Sequence, residues 1–175
     1  MLLESLGETL QSASIATALR ESALVYPIVM TGHLAGMALF GGLILMTDLR
    51  LLGLALKSYS IAEVVNGLRP WKHMGLTLVA GCGIFLAWAK AEQYLNNPYF
   101  LIKLALLFCV IVHALVFRGN VYKNPEELDK SPVIPTRAKA AAILSIVLWM
   151  GVVSAGRWIG YYEPSKGDKT AQVAP

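Results

Sequence analysis

The segment from Ser22 to Thr47 is 26 residues long and contains no Asp, Glu, Lys or Arg. About 20 apolar helical residues cross the roughly 30 Å of a bilayer's hydrocarbon, so this run is long enough to be a complete membrane span. Composition agrees with that reading. Of the 175 residues 56% are hydrophobic and only 15% charged, with a mean hydropathy of +0.57. A soluble domain carries roughly 25% charged residues, so most of this chain has lipid as its solvent. Leu, Ile, Val and Phe are too plentiful for a disordered chain, two cysteines are too few for a disulfide scaffold, and no sustained heptad run supports a coiled coil.

Three further spans follow. From His73 to Ala89 the chain is uncharged between Lys72 and Lys90, with Trp71 and Trp88 near the ends, where amphipathic rings favour the interface. The turn residues Asn96, Asn97 and Pro98 precede the third run, which carries Lys103 near its start. The fourth holds Trp149, Trp158 and, near its far end, Arg157. The expected spans are about 22–47, 71–91, 98–118 and 139–161, within a transmembrane domain of residues 22–162. The fold class expected is all-α, a four-helix transmembrane bundle. In residues 1–21, Glu4 and Glu8 stand where a signal peptide has basic residues, while Leu2, Leu3, Leu6, Leu10, Ile15 and Leu19 fall largely at helical spacing. This segment is expected to be a short amphipathic helix lying on the interface. Residues 163–175 are polar and expected to be a disordered tail, and the Pro-containing stretch from Gly119 to Thr136 a connector. No segment has the length of a soluble catalytic domain.

The net charge of +4 would suggest nucleic acid as the partner of a soluble protein, but most cations here occupy the gaps between apolar runs. Arg50, Lys57, Arg69 and Lys72 follow span one, and Arg118, Lys123, Lys130, Arg137 and Lys139 follow span three. The opposite side has Arg20, Lys90, Arg157, Lys166 and Lys169, with Lys103 just inside it. The positive-inside rule then places both loops in the cytoplasm and both termini outside, in a bacterial inner membrane.

Ionisable groups at membrane depth are costly and mark candidate sites. All three histidines lie in the expected spans: His33 roughly 15 Å and His113 roughly 22 Å from the terminal side at 1.5 Å per residue, and His73 near the cytoplasmic end of span two. Two histidines at similar depth on neighbouring helices are the donor set for a b-type haem. His33 with His113 is the leading pair, and His73 with His113 the other. Gly32 and Gly36 flank His33 and would let a helix or a flat macrocycle approach. Against this stands the plain reading that a histidine only hydrogen-bonds across helices, with His73 an interfacial residue. Lys103 and Arg157 are candidates to hold a haem propionate or a quinone head group, unless they only snorkel to the interface. Met30, His33 and Met37 share one face of span one, a soft donor set that suits copper(I). Asp48 and Arg50, before Gly53, read as a helix cap and anchor. No nucleophile with a base at readable spacing, phosphate loop or paired carboxylates occurs, so independent catalytic activity is not expected.

The run His33-Leu34-Ala35-Gly36, then Gly41-Gly42, then Asp48-Leu49-Arg50-Leu51-Leu52-Gly53 resembles a family of uncharacterised bacterial four-helix inner-membrane proteins. The likeness continues through Arg69-Pro70-Trp71 and Asn97-Pro98-Tyr99-Phe100, over about residues 20–120. It implies a compact four-helix membrane protein of unassigned biochemistry. The chain is also distantly similar to copper-resistance D-type and small b-type cytochrome membrane proteins, which use histidines within helical bundles. The function expected is therefore a small electron-transfer membrane subunit binding haem b. Its partners would be the lipid bilayer, a quinone or redox protein, and a second copy of itself. The alternatives are copper handling, or a structural or assembly role with no cofactor.

Overall fold

The computed structural model describes residues 2–117 and 123–162. The expected tail at 163–175, the loop residues 118–122 and the side chains of Leu2, Leu3, Leu6, Ile15 and Leu19 lie outside the described residues. Among the described residues the chain is wholly helical, and four helices are long and apolar enough to cross a membrane. These are α3 (Val25–Leu51), α4 (Ile61–Ala89), α6 (Pro98–Phe117) and α8 (Thr136–Ile159). The short helices are α1 (Leu2–Gln11), α2 (Ser14–Glu21), α5 (Ala91–Leu95) and α7 (Pro125–Asp129). The chain is a multi-pass membrane protein built on a four-helix bundle.

The bundle is two hairpins joined at a seam. Helix α4 packs on α3, α6 packs on α8, and the halves meet where α3 touches α8. In the α3–α4 hairpin small residues set the distance. A Cβ built at Gly36 would stand 2.7 Å from the Val79 backbone nitrogen, and one at Gly75 3.0 Å from that of Phe40. The two backbones are therefore in direct contact at both glycines, the close approach that small residues permit between helices in lipid.

Helix α4 begins ten residues before its expected span. Ser60 and Glu63 form a capping box, with Glu63 N–H donating to Ser60 Oγ at 3.1 Å and Ser60 N–H to Glu63 Oε2 at 2.7 Å. Asp129 of α7 accepts from Ile61 N–H at 2.7 Å and Ala62 N–H at 2.9 Å. With its orphan donors so satisfied, the helix has no reason to stop where the hydrocarbon does. Between Lys123 and Thr136 the connector is structured: Pro125 and Leu128 of α7 are buried beneath the loop end of the bundle, against Leu51, Ile61, Val65 and Ala138. We expect Asp129→Ala to lower unfolding stability in detergent by about 1–2 kcal/mol, since it frees two amide donors at once. Asp129→Asn should recover part of the loss in the same denaturation measurement.

The N-terminal segment is two helices, broken at Ser12-Ala13, where one was expected. They pack across the terminal end of α4 and α5: Trp88 Nε1–H donates to the Leu10 carbonyl at 2.8 Å, Gln11 to Glu92 at 3.2 Å and Arg20 to the Ala89 carbonyl at 3.3 Å. Burial pushes the Tyr94 phenol above its ordinary range, with Tyr26 beside it.

Candidate functional site

The motif Asp48-Leu49-Arg50-Leu51-Leu52-Gly53 divides by role. Gly53 has φ +72°, its N–H bonds to the Arg50 carbonyl at 3.0 Å, and Leu54 N–H reaches the Leu49 carbonyl at 2.9 Å. These are the two bonds of a Schellman cap, and they require a residue tolerant of positive φ at position 53. Arg50 ties down the following loop by donating from Nε to the Tyr59 carbonyl at 2.8 Å. Capping and anchoring are thus done by Gly53 and Arg50.

Asp48 does neither. It is 1% exposed, and neither carboxylate oxygen has a hydrogen-bond partner. The polar groups that face it are the Ser145 hydroxyl on α8, the donor nearest to hydrogen-bonding it, and Lys72 on α4, which acts on it through space. An unpaired carboxylate removed from water costs several kcal/mol, so this one is retained against a penalty. Beside it lies a half-open apolar groove of about 220 Å³ at the α3–α8 seam, lined also by Met37, Gly41, Gly42, Ile146, Trp149 and Met150, to which its carboxylate oxygens present almost no surface. Trp149 is held edge-on to Phe40 with centroids 5.4 Å apart. Gly41 and Gly42 differ from Gly36 and Gly75, because a Cβ built at either meets nothing within 4 Å. They meet open space, with Gly42 exposed on the bundle surface, where the other pair provides helix contact.

His33 lies fifteen residues before Asp48 on α3. Its Nδ1–H donates to the Val79 carbonyl of α4 at 2.9 Å, which leaves Nε2 with the lone pair, and Gly83 makes room for the ring. Lys103 of α6 is within electrostatic range, its ammonium resting over Gly156 of α8. His113 is buried between α6 and α8, where its Nε2–H donates to the Ala141 carbonyl at 3.0 Å. The two histidines thus bond within different hairpins. His33 faces Lys103, and His113 follows Lys103 on α6 by ten residues. Each ring of the leading pair thus has one nitrogen engaged by a backbone carbonyl of its own hairpin. His73 is exposed on α4, and Arg157 donates to the Tyr161 hydroxyl one turn on. Met37 lines the Asp48 cavity while His33 leans on α4, so the Met30, His33 and Met37 face is divided between two neighbours. Cys82 abuts Gly32 of α3, whereas Cys109 is exposed. No cluster of three or more His, Cys, Asp or Glu side chains that could hold a metal ion occurs among the described residues.

Sequence reasoning placed Lys72 at a span boundary and Asp48 at a cap, and so missed both as site residues. The available signal was the spacing of Met37, Gly41, Leu45 and Asp48 at four, four and three residues, which aligns a carboxylate with glycine on one helical stripe.

No curated protein and no solved structure shows significant similarity to the chain, so the distant likeness to copper-resistance and cytochrome proteins has no counterpart there. One family covers residues 22–162, all four long helices and the motif ending at Gly53, and the chain belongs to it: DUF6644, a family of unknown function.

Proposed function

We propose that this protein handles protons across the membrane, through a buried carboxylate that exchanges its charge-compensating partner. One observation carries the reading: Asp48 is 1% exposed with neither oxygen in a hydrogen bond of normal geometry, and the groups that face it are the Ser145 hydroxyl of α8 and the Lys72 ammonium of α4. A structural carboxylate in a bundle is normally saturated with donors. One left open has its compensation supplied by something that comes and goes, and a proton is the smallest such species. His33, with a free Nε2 beside Lys103, offers a second polar station in the terminal half. The cation-rich loops argue for a cytoplasmic Asp48 end, with the termini outside a bacterial inner membrane.

The test is proton flux in liposomes reconstituted with the full chain, with an imposed potential and an internal pH dye. Asp48→Asn should abolish the flux while leaving the protein monodisperse. Wild-type flux no greater than that of empty liposomes would overturn the reading.

A second reading rests on the His33 ring. An imidazole that donates Nδ1–H to a backbone carbonyl and keeps Nε2 free has the outer-shell arrangement of metal-bound histidines. His33 as ligand to a haem b iron or to copper would make the protein an electron-transfer or copper-handling subunit, with Lys103 toward a propionate or quinone. Oxidised and dithionite-reduced spectra with metal analysis decide it. A Soret band lost in His33→Ala supports the haem, stoichiometric copper lost in the same variant supports copper, and a colourless, metal-free protein after supplementation excludes both.

A further inference from the structure

Charge within the bundle is compensated at one end and not at the other. In the four long helices the only acidic residues are Asp48 and Glu63, and both stand toward the loop end, where Lys72 faces Asp48. The terminal end has Lys103 on α6 and Arg157 on α8, with no carboxylate on any of the four helices there. Arg157 is engaged with Tyr161, through the hydroxyl and the face of the ring. Lys103 is not: among the described residues its ammonium has neither a hydrogen-bond acceptor nor an ion-pair partner. Nor does its stem run straight out to the interface. The Nζ, Cε and Cδ atoms stand 3.6, 3.8 and 3.9 Å from a Cβ built at Gly156, so the side chain lies along the α8 backbone, with His33 of α3 within electrostatic range. An ammonium held among apolar helices without an acceptor is costly.

We propose that Lys103 is an anion site that takes a phosphate group at the terminal end of the bundle, between α6 and α8. The ammonium is open to a ligand, unlike the two Asp48 oxygens, which are the only sealed side-chain polar atoms without a partner among the described residues. It carries three N–H donors, and a phosphate has oxygens enough for all of them, where a carbonyl answers one. Lys103 follows Pro98 by five residues and Gly156 precedes Ile159 by three, roughly 7.5 and 4.5 Å from the helix ends at 1.5 Å per residue. The ammonium therefore sits about one helical turn below those ends, near the stacked pair of Tyr99 and Trp158, whose centroids are 5.9 Å apart. That depth is within reach of a phospholipid headgroup from the side and of inorganic phosphate from the terminal solution. Arg157, the residue after Gly156, adds positive potential at the same end. His33, with its proton on Nδ1 and a lone pair on Nε2, is uncharged and leaves the ammonium uncompensated. The site needs no haem, and it is separate from Asp48, which lies toward the other end of α3.

The experiment is native mass spectrometry of the full chain in a maltoside detergent, titrated with phosphatidylglycerol or with diacylglycerol of the same acyl chains, beside phosphorus NMR line broadening of inorganic phosphate in the same micelles. If the phosphate comes from lipid, phosphatidylglycerol should bind at least about tenfold more tightly than diacylglycerol, the scale of one charge-assisted hydrogen bond. If it comes from solution, inorganic phosphate should be broadened by the protein while the two lipids bind alike. In either case Lys103→Gln should remove the effect and Lys103→Arg should keep most of it. Gly156→Leu, which retains the ammonium and sets a branched side chain against it, should also weaken binding, so that a folding failure of Lys103→Gln still leaves a decisive variant. Equal binding of the two lipids together with no broadening of phosphate, or binding indifferent to Lys103→Gln and Gly156→Leu, would show a lysine that only serves the membrane interface and overturn the proposal.

Discussion

Asp48→Asn should make the purified protein more stable while abolishing the proposed proton flux. The substitution keeps the shape of the side chain and takes away a charge that is 1% exposed and without donors. Two effects compete. Losing the attraction to Lys72 destabilises, but that ammonium makes no hydrogen bond to Asp48 and so acts at longer range. Relief of the desolvation cost stabilises, and for a carboxylate this amounts to several kcal/mol. The second effect is the larger, and we expect a net gain of about 1–2 kcal/mol in denaturant unfolding in detergent. Marked destabilisation would mean that Asp48 is half of a structural ion pair with Lys72, and would remove the basis for assigning it a working role. A gain in stability together with lost flux is the pattern of a residue kept for function at a cost in stability.

Gly36→Leu has the opposite character. A Cβ at that position stands 2.7 Å from the Val79 nitrogen, closer than real Cβ contacts come, and the obstacle is backbone, which cannot rotate aside. The α3–α4 hairpin must open along its length, losing the adjacent contact at Gly75 and the bond from His33 to the Val79 carbonyl. We expect a loss exceeding about 3 kcal/mol, read as failure to survive detergent extraction or as a collapse of the thermal transition. Gly42→Ala, where a Cβ meets nothing, should be tolerated and is the matched control. Equal tolerance of both substitutions would refute the division of the glycines into contact and cavity positions.

The spans were readable because the cost of unpaired backbone and charge in lipid is written directly into composition. Ser22 to Thr47 needs no context to be read as a span. The start of α4 was not readable in the same way, because Arg69, Lys72 and Glu63 mark the edge of the hydrocarbon and not the end of the helix. The hydrogen bonds that extend it come from Asp129, 68 residues away from Ile61. The histidines were legible as buried polar groups but not as partners, since which neighbour a face meets depends on the α3–α8 seam. Asp48 was hidden for a related reason. Next to Arg50 and Gly53 it has the local context of a helix end, and only the packing of α4 and α8 on α3, which brings Lys72 and Ser145 to it, turns that end into an interior.

That seam also orders events in time. The α3–α4 hairpin closes through its own glycines and the α6–α8 hairpin through His113, so each half can mature as it leaves the insertion machinery, the first before the second has been translated. The chamber beside Asp48 belongs to neither half. It comes into being only when α8, the last helix made, docks on α3, so an incompletely synthesised protein is a sealed and inert hairpin that exposes no partial site. Coexpressing residues 1–96 and 97–175 as separate chains should therefore restore the proposed proton flux, whereas either piece alone should insert into the membrane and carry none.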